Sequence, residues 1–221
     1  MSRAAAILES INKHVEQKQV ADAADADRKL VEQASLVTEG KDYPFVGNPT
    51  GAVEVYYYFD INCGYCKKID ADLAGFVKSN PDVRLVHREM PILTDASKVG
   101  AQVGGALFAL YPDEYQVFHN LLLGHESASS NEVISAALNS AVGPDRAAEV
   151  LAKAYDTKEP ISKAVSDRIQ ATLDTATKVG IAGTPFLYVK GADKFVRGAV
   201  GDLVQQLSAA ADQVRAKAKA E

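Results

Sequence analysis

The sequence predicts an α/β fold in which a βαβ half and a ββα half share one sheet, with a helical block inserted between them and a helical extension in front. Three observations lead there. Residues 52–91 read as strand, helix, strand. Residues 94–180 lose strand character and are cut into helical lengths by Pro and Gly. Strand character then returns at 184–190, ahead of a last helix of apolar periodicity. With 221 residues, 47% of them hydrophobic, the chain can bury one sizeable core together with an insertion.

The elements follow in order. Residues 1–38 are rich in Ala, Asp, Gln and Lys and hold neither Pro nor Gly, so they read as helix. Ile7, Leu8, Ile11 and Val15 form one apolar stripe, and Leu30, Val31, Ala34 and Val37 a second. The polar stretch from Ala21 to Arg28 between them implies two helices or a bent one. EGKDYPFVGNPTG is loop or linker, with a short edge strand expected near Phe45, and the main boundary is placed here. AVEVYYYFD (52–60) is β-branched and aromatic, a buried central strand. In the segment after it, Ile69, Leu73, Phe76 and Val77 keep helical spacing until Asn80-Pro81 stops the helix, and VRLVHREMP (83–91) is the next strand, parallel to the first. From Thr94 to about Gly180 roughly four or five helices are expected, with breaks near Tyr111-Pro112, Gly124, Gly143-Pro144 and Glu159-Pro160. TPFLYVK (184–190), the Gly191-Ala192-Asp193 turn and KFVRG read as a hairpin. Residues 201–220 close the chain as a helix carrying Leu203, Leu207, Ala210 and Val214.

Composition narrows the function. The net charge of −5, with basic residues dispersed apart from small clusters such as Lys67-Lys68, argues against nucleic acid as a partner. No apolar run approaches bilayer-spanning length, so no membrane insertion is expected. Glu9, Asn12 and Lys13 interrupt what would be the core of a secretory signal. The start therefore reads either as that of a cytoplasmic protein or as a mature form.

The two cysteines, Cys63 and Cys66, carry the chemistry. A CxxC pair closes almost no loop, so it is a poor staple and its use is chemical. Cys63 directly follows a buried strand and falls at a helix N-terminus, where unpaired N–H groups and the helix dipole favour thiolate over thiol. Cys63 is therefore expected to attack. Cys66, on the first turn and less accessible, resolves the mixed disulfide, and this redox-active disulfide needs no other cofactor. Gly64 and Tyr65 between them bring no positive charge, so the centre should be less oxidising than one with a histidine there. A structural zinc site would need two further ligands. There is no second CxxC, His119 and His125 are spaced too widely for a finger, and His14 and His87 stand alone. A soft Cu(I) ion held by Cys63 and Cys66 is the competing use of the same thiols, lowered by the absence of Met-rich or His-rich tracts. Downstream, Gly183-Thr184-Pro185-Phe186 opens a strand where proline costs no ladder bond. The sharper reading is a cis Thr184–Pro185 bond that turns the Thr184 backbone toward Cys63, where a substrate chain could pair with it.

FDINCGYCKKID, followed far downstream by VGIAGTPFLYV, resembles the DsbA family of bacterial thiol-disulfide oxidoreductases. Within it the chain is most similar to the ScsC-like proteins (suppressor of copper sensitivity, hence copper tolerance), which also place a GNP turn before the first long strand. The resemblance covers about residues 42–215. It implies a thioredoxin-like fold with an inserted helical domain: 42–93 and 181–221 as the thioredoxin-like domain, 94–180 as the insertion, and 1–41 as an N-terminal helical extension. It implies a periplasmic site, unfolded or wrongly bridged proteins as substrates, and a membrane thiol-redox partner. Cys63 takes the place of the family's nucleophile, Cys66 of its resolving cysteine and Pro185 of its cis-proline. Thr184 together with CGYC looks more like the isomerase-type members than the strong oxidases. One departure is plain: Tyr57 stands where family members commonly carry a buried glutamate that assists proton transfer, and a phenol is a poor base at neutral pH. Some ScsC-like proteins assemble through N-terminal helices, so residues 1–38 are expected to form a homo-oligomer through Ile7, Leu8, Ile11 and Val15.

Overall fold

The computed structural model describes residues 9, 11–15, 17, 18, 25, 28, 31–125, 129–193, 195, 196 and 201–220. Four strands, β1 (Phe45–Gly47), β2 (Val53–Phe59), β3 (Val83–Glu89) and β4 (Phe186–Val189), form one sheet in the order β1-β3-β2-β4. β2 and β3 run parallel, from Val53 opposite Val83 to Phe59 opposite Glu89, while β1 on β3 and β4 on β2 are antiparallel. The helix α2 (Gly64–Ser79) makes the crossover between the parallel pair. A short α1 (Ala34–Val37) precedes the sheet and α8 (Leu203–Ala218) ends the chain.

Both faces of the sheet are covered, which is why β2 reads as an unbroken apolar run rather than an alternating one. Alternation survives underneath. Val53, Val55, Tyr57 and Phe59 point into one core with Leu73, Phe76, Leu207 and much of the helical block. Tyr56 and Tyr58 point into the other, with Val37, Tyr43, Val86, Val179 and Phe195. The triple-tyrosine run is thus split by the pleat, with Tyr57 alone on the side of the cysteines.

Among the described residues the inserted block is five helices: α3 (Asp95–Leu110), α4 (Pro112–Leu123), α5 (Asn131–Val142), α6 (Pro144–Tyr155) and α7 (Pro160–Val179). Their boundaries fall at the expected breaks. Pro occupies the first turn of α4, α6 and α7, where its missing N–H has no partner to lose. Thr94 and Ser130 cap α3 and α5 through their side chains. α3 is the hub, packing on α4, α6 and α7. Its close approaches require glycine: a Cβ at Gly105 would lie 2.5 Å from Val165 Cγ1, and one at Gly100 would lie 2.4 Å from Ile61 Cδ1.

Two expectations are modified. The hairpin after β4 is reduced, among the described residues, to a single bridge between Leu187 and Val196; residues 194 and 197–200 of that segment lie outside them. Of the first apolar stripe, Ile7 and Leu8 also lie outside the described residues, while Ile11 and Val15 are helical and exposed.

Candidate active site

β2 ends at Phe59, and the next four residues build the centre. Asp60, buried at 2% exposure, accepts hydrogen bonds through Oδ1 from Asn62 N (2.7 Å) and Ser97 Oγ (2.6 Å). Through Oδ2 it accepts from Ile92 N (2.9 Å) and Leu93 N (3.0 Å). Its carbonyl accepts from Cys63 N at 3.0 Å. One carboxylate thus ties the end of β2, the loop after β3 and the start of α3 into a single rim. Asn62 extends the rim, donating to Thr94 Oγ1 (2.8 Å) and the Ser129 carbonyl (3.2 Å) and accepting from Ser129 N (2.6 Å). Lys67, expected within a basic surface cluster, instead turns inward and donates to the Leu122 and His125 carbonyls at 2.9 and 2.7 Å.

On this rim Cys63 is the N-cap of α2, its sulfur accepting from Cys66 N at 3.3 Å. The Cys66 thiol beside it holds the Cys63 thiol down, to about 6, against the opposing effect of burial. Thr184, facing the sulfur, and the backbone of Cys66 and Tyr65 act in the same direction. Cys66 has no exposed surface. Burial, and then its hydrogen bond to Cys63, push its thiol far above the usual range. The two sulfurs are therefore differentiated, one poised as thiolate and the other held neutral.

The Thr184–Pro185 bond is cis, and the Thr184 carbonyl lies 3.2 Å from Cys63 Sγ, within reach of the thiol proton when that sulfur is neutral. Residues separated by most of the chain meet here. Tyr65 is 63% exposed, and Ile92 and Leu93, held by Asp60, are 44% and 51% exposed. They add apolar surface to the same rim. Gly64 faces open space, so no neighbour demands its small size.

Tyr57 is fully buried behind the pair. Its hydroxyl has no hydrogen-bond partner of acceptable geometry, and burial, followed by the nearby Cys66 and Asp70, pushes its pKa well up. Glu54 is no substitute, since it is engaged at the other end of β2 by Lys190 (2.6 Å), Arg84 (3.5 Å) and Tyr56 (3.1 Å). His87, isolated along the sequence, has close neighbours in the fold. Its ring lies 4.2 Å from that of His119, centroid to centroid, and its Nδ1 is 2.9 Å from the Tyr115 hydroxyl. The separation of 87 and 119 along the chain hid a pairing that the packing of α4 on the sheet creates. Among the described residues no group of three or more His, Cys, Asp or Glu is arranged to hold a metal. In the sequence Asp60 is the last residue of the 52–60 strand segment and Asn62 lies just beyond it. An acidic or amide residue just before a helix is the turn-forming signal that would have singled them out.

A strand-to-helix dithiol facing a cis-proline loop in a four-stranded mixed sheet is the centre of a thiol-disulfide oxidoreductase. The chain belongs to the thioredoxin family, whose model matches residues 39–199. A thioredoxin-like oxidoreductase from Silicibacter pomeroyi DSS-3 superposes with a TM-score of 0.68 at 30% identity, covering 82% of this chain and 96% of that one. The catalytic domain of Proteus mirabilis ScsC gives a TM-score of 0.68 at 21% identity, covering 85% and 97%. A probable disulfide bond formation protein D of Bacillus cereus is 22% identical over 150 residues, covering 66% of this chain and 69% of that protein.

Proposed function

We propose that the chain isomerises and reduces disulfides in protein substrates, with Cys63 as nucleophile, Cys66 as resolving thiol, and Gly64, Tyr65, Thr184 and Pro185 forming the surface that meets the substrate. The observation that carries this reading is the setting of Cys63: its sulfur caps α2 through the Cys66 N–H, and Gly64 and Tyr65 between the cysteines bring no positive charge to stabilise the thiolate further. In keeping with that setting its thiol is lowered to about 6, short of the strongly oxidising DsbA centre (about 3.5). Thiolate stabilisation makes the reduced form easier to keep, so a moderate shift favours a centre that gives electrons to wrong disulfides over one that only takes them.

The chemistry balances within the two sulfurs. Cys63 thiolate attacks one sulfur of a substrate disulfide, the substrate S–S bond breaks, and the released substrate thiolate takes a proton. In isomerisation another substrate thiolate then attacks the mixed disulfide and regenerates Cys63. In reduction Cys66 attacks Cys63 Sγ, leaving the Cys63–Cys66 disulfide and a two-electron-reduced substrate. No further cofactor takes part. A membrane thiol-redox partner returns the pair to the dithiol in an oxidising extracytoplasmic compartment such as the periplasm. The part of the N-terminal segment ahead of residue 31 assembles copies of the chain, so that one substrate meets several thiol pairs.

The test is recovery of native activity from a scrambled, fully oxidised substrate protein. Recovery by the wild type and its loss in Cys63→Ser support the reading. No recovery, together with a reduction potential near −120 mV, would identify a dithiol oxidase instead.

A further inference from the structure

Resolution requires Cys66 to lose a proton in a place with no solvent, and the residues around it are arranged to take one. Cys66 and Asp70 are four residues apart on α2, hence on one face of the helix. Tyr57, on the strand beneath, carries a buried hydroxyl without a hydrogen-bond partner, and Cys66 and Asp70 are the polar groups that act most strongly on it. Asp70 Oδ1 lies 2.9 Å from Nε2 of His119 on α4, with side-chain exposures of 14% and 5%. A cavity of about 10 Å³ is lined by Asp70, His87, His119 and Gln116, room for about one water at the outer end of this chain of groups.

We propose that the Asp70–His119 pair receives the proton that Cys66 gives up, with the Tyr57 hydroxyl handing it across. The Tyr57 hydroxyl is bonded to neither group in the resting dithiol; as the Cys66 sulfur moves to attack Cys63 Sγ of a mixed disulfide, the hydroxyl turns between them, its oxygen taking the Cys66 proton while the phenol proton moves to the Asp70 carboxylate. The Cys63–Cys66 bond forms, the bond from Cys63 to the substrate sulfur breaks, and the substrate leaves as a thiolate that water protonates. The phenol ends as it began, so its weakness as a base is no obstacle: it never holds a net charge. The proton on the Asp70–His119 pair then leaves through the cavity, and reduction of the disulfide runs the path in reverse.

The other titratable groups near His119 are accounted for. His87, stacked on it from β3, is kept neutral by burial and by His119 itself. Glu89, also on β3, is pushed up by burial, and it accepts from the Tyr115 hydroxyl at 3.3 Å; Tyr115, on the same helix as His119, is likewise raised. Arg168 of α7 acts on Glu89 and Tyr115. Of these acidic groups only Asp70 both acts on Tyr57 and is partly exposed.

The inference rests on the proposed roles of Cys63 and Cys66, and the experiment separates the two. Stopped-flow reaction of the reduced full-length chain with glutathione disulfide gives a first phase, mixed-disulfide formation at Cys63, and a second, its resolution by Cys66. Asp70→Asn should leave the first phase and the alkylation midpoint of Cys63 unchanged and slow the second about 100-fold at pH 7, the loss narrowing as pH rises and hydroxide substitutes. Tyr57→Phe should reproduce that pattern, and Asp70→Glu should restore part of the rate. Resolution by Asp70→Asn at the wild-type rate, or slowed equally at every pH, overturns the proposal. If Asp70→Asn does not fold, Tyr57→Phe decides by the same criteria. A wild-type first phase that does not place glutathione on Cys63 overturns the site reading itself and this inference with it.

Discussion

Cys63 and Cys66 are the same residue type three positions apart, and their surroundings drive them in opposite directions. Cys63 sits where α2 begins, so the backbone N–H groups of the first turn face its sulfur. Cys66 sits one turn deeper, where only the protein interior faces it. The consequence is a pH dependence with a definite sign. The folded-state pKa of Cys63 is lowered, to about 6. Its contribution to the stability of the reduced form is therefore fully present above the ordinary thiol pKa of about 8.5 and is lost as pH falls through 6. Alkylation by iodoacetamide should follow the same titration: half-maximal rate near pH 6, one cysteine modified, and Cys66 unreactive until the protein unfolds. A midpoint near 8.5 would show that the N-cap geometry does not stabilise the thiolate.

At the scale of elements, the centre depends on how three chain segments are held together, and Asp60 holds them. Replacing it with Ala leaves the Asn62, Ile92 and Leu93 N–H groups and the Ser97 hydroxyl without their acceptor. At about 1–3 kcal/mol for each buried donor left unsatisfied, and with water relieving the most exposed, about 3 kcal/mol of destabilisation is expected. For a chain of this length that lowers Tm by about 6–12 °C, measurable by circular dichroism. Asp60→Asn keeps one accepting oxygen but turns an NH2 group toward the other two donors, so it should lose at least half of that. This residue also shows where sequence reading stops. The helices of the insertion were legible because Pro112, Pro144 and Pro160 mark their starts and Gly124, Gly143 and Gly180 their ends. The strand–helix–strand unit was legible because β2 and β3 are β-branched and aromatic while the intervening segment repeats at helical spacing. Cys63, Cys66 and Thr184-Pro185 were legible as chemistry. Asp60 was not, because its partners come from 92–97, which the sequence places on no common surface with it. The pairing of His87 with His119 was hidden for the same reason: it depends on the register with which α4 lies on the sheet, a tertiary property that no local pattern encodes.

For the whole molecule, the open question is how the N-terminal segment joins the rest. Ile11 and Val15 are half exposed on a helix, apolar surface free to meet other copies. The end of the segment behaves differently. Val37 is completely buried, and Val31, Ala34 and Leu36 pack against the same core as Tyr58 and Val179. The Val37 carbonyl accepts from the Tyr58 hydroxyl at 2.9 Å. Arg88, itself buried and stacked 3.9 Å over Tyr43, donates to the Glu39 and Val37 carbonyls at 2.6 and 3.4 Å. Residues 31–39 are thus packed into the fold, and only what precedes them is free to act as a stalk. Two truncations separate these roles. Removing residues 1–30 should reduce the assembly to a monomer in analytical ultracentrifugation, leave Tm within about 2 °C, and leave glutathione exchange at Cys63 unchanged, while lowering the recovery of scrambled substrate. Removing 1–38 should give the same monomer but also strip Val37 from the core and the carbonyl acceptors from Tyr58 and Arg88. Burial of a valine contributes about 1.5–3 kcal/mol and each lost acceptor about 1 kcal/mol or more, so a further fall in Tm of about 7–20 °C is expected. A full-length chain that sediments as a monomer would remove the stalk from the account. Equal melting of the two truncations would show that the contacts around Val37 add nothing to the stability of the catalytic fold.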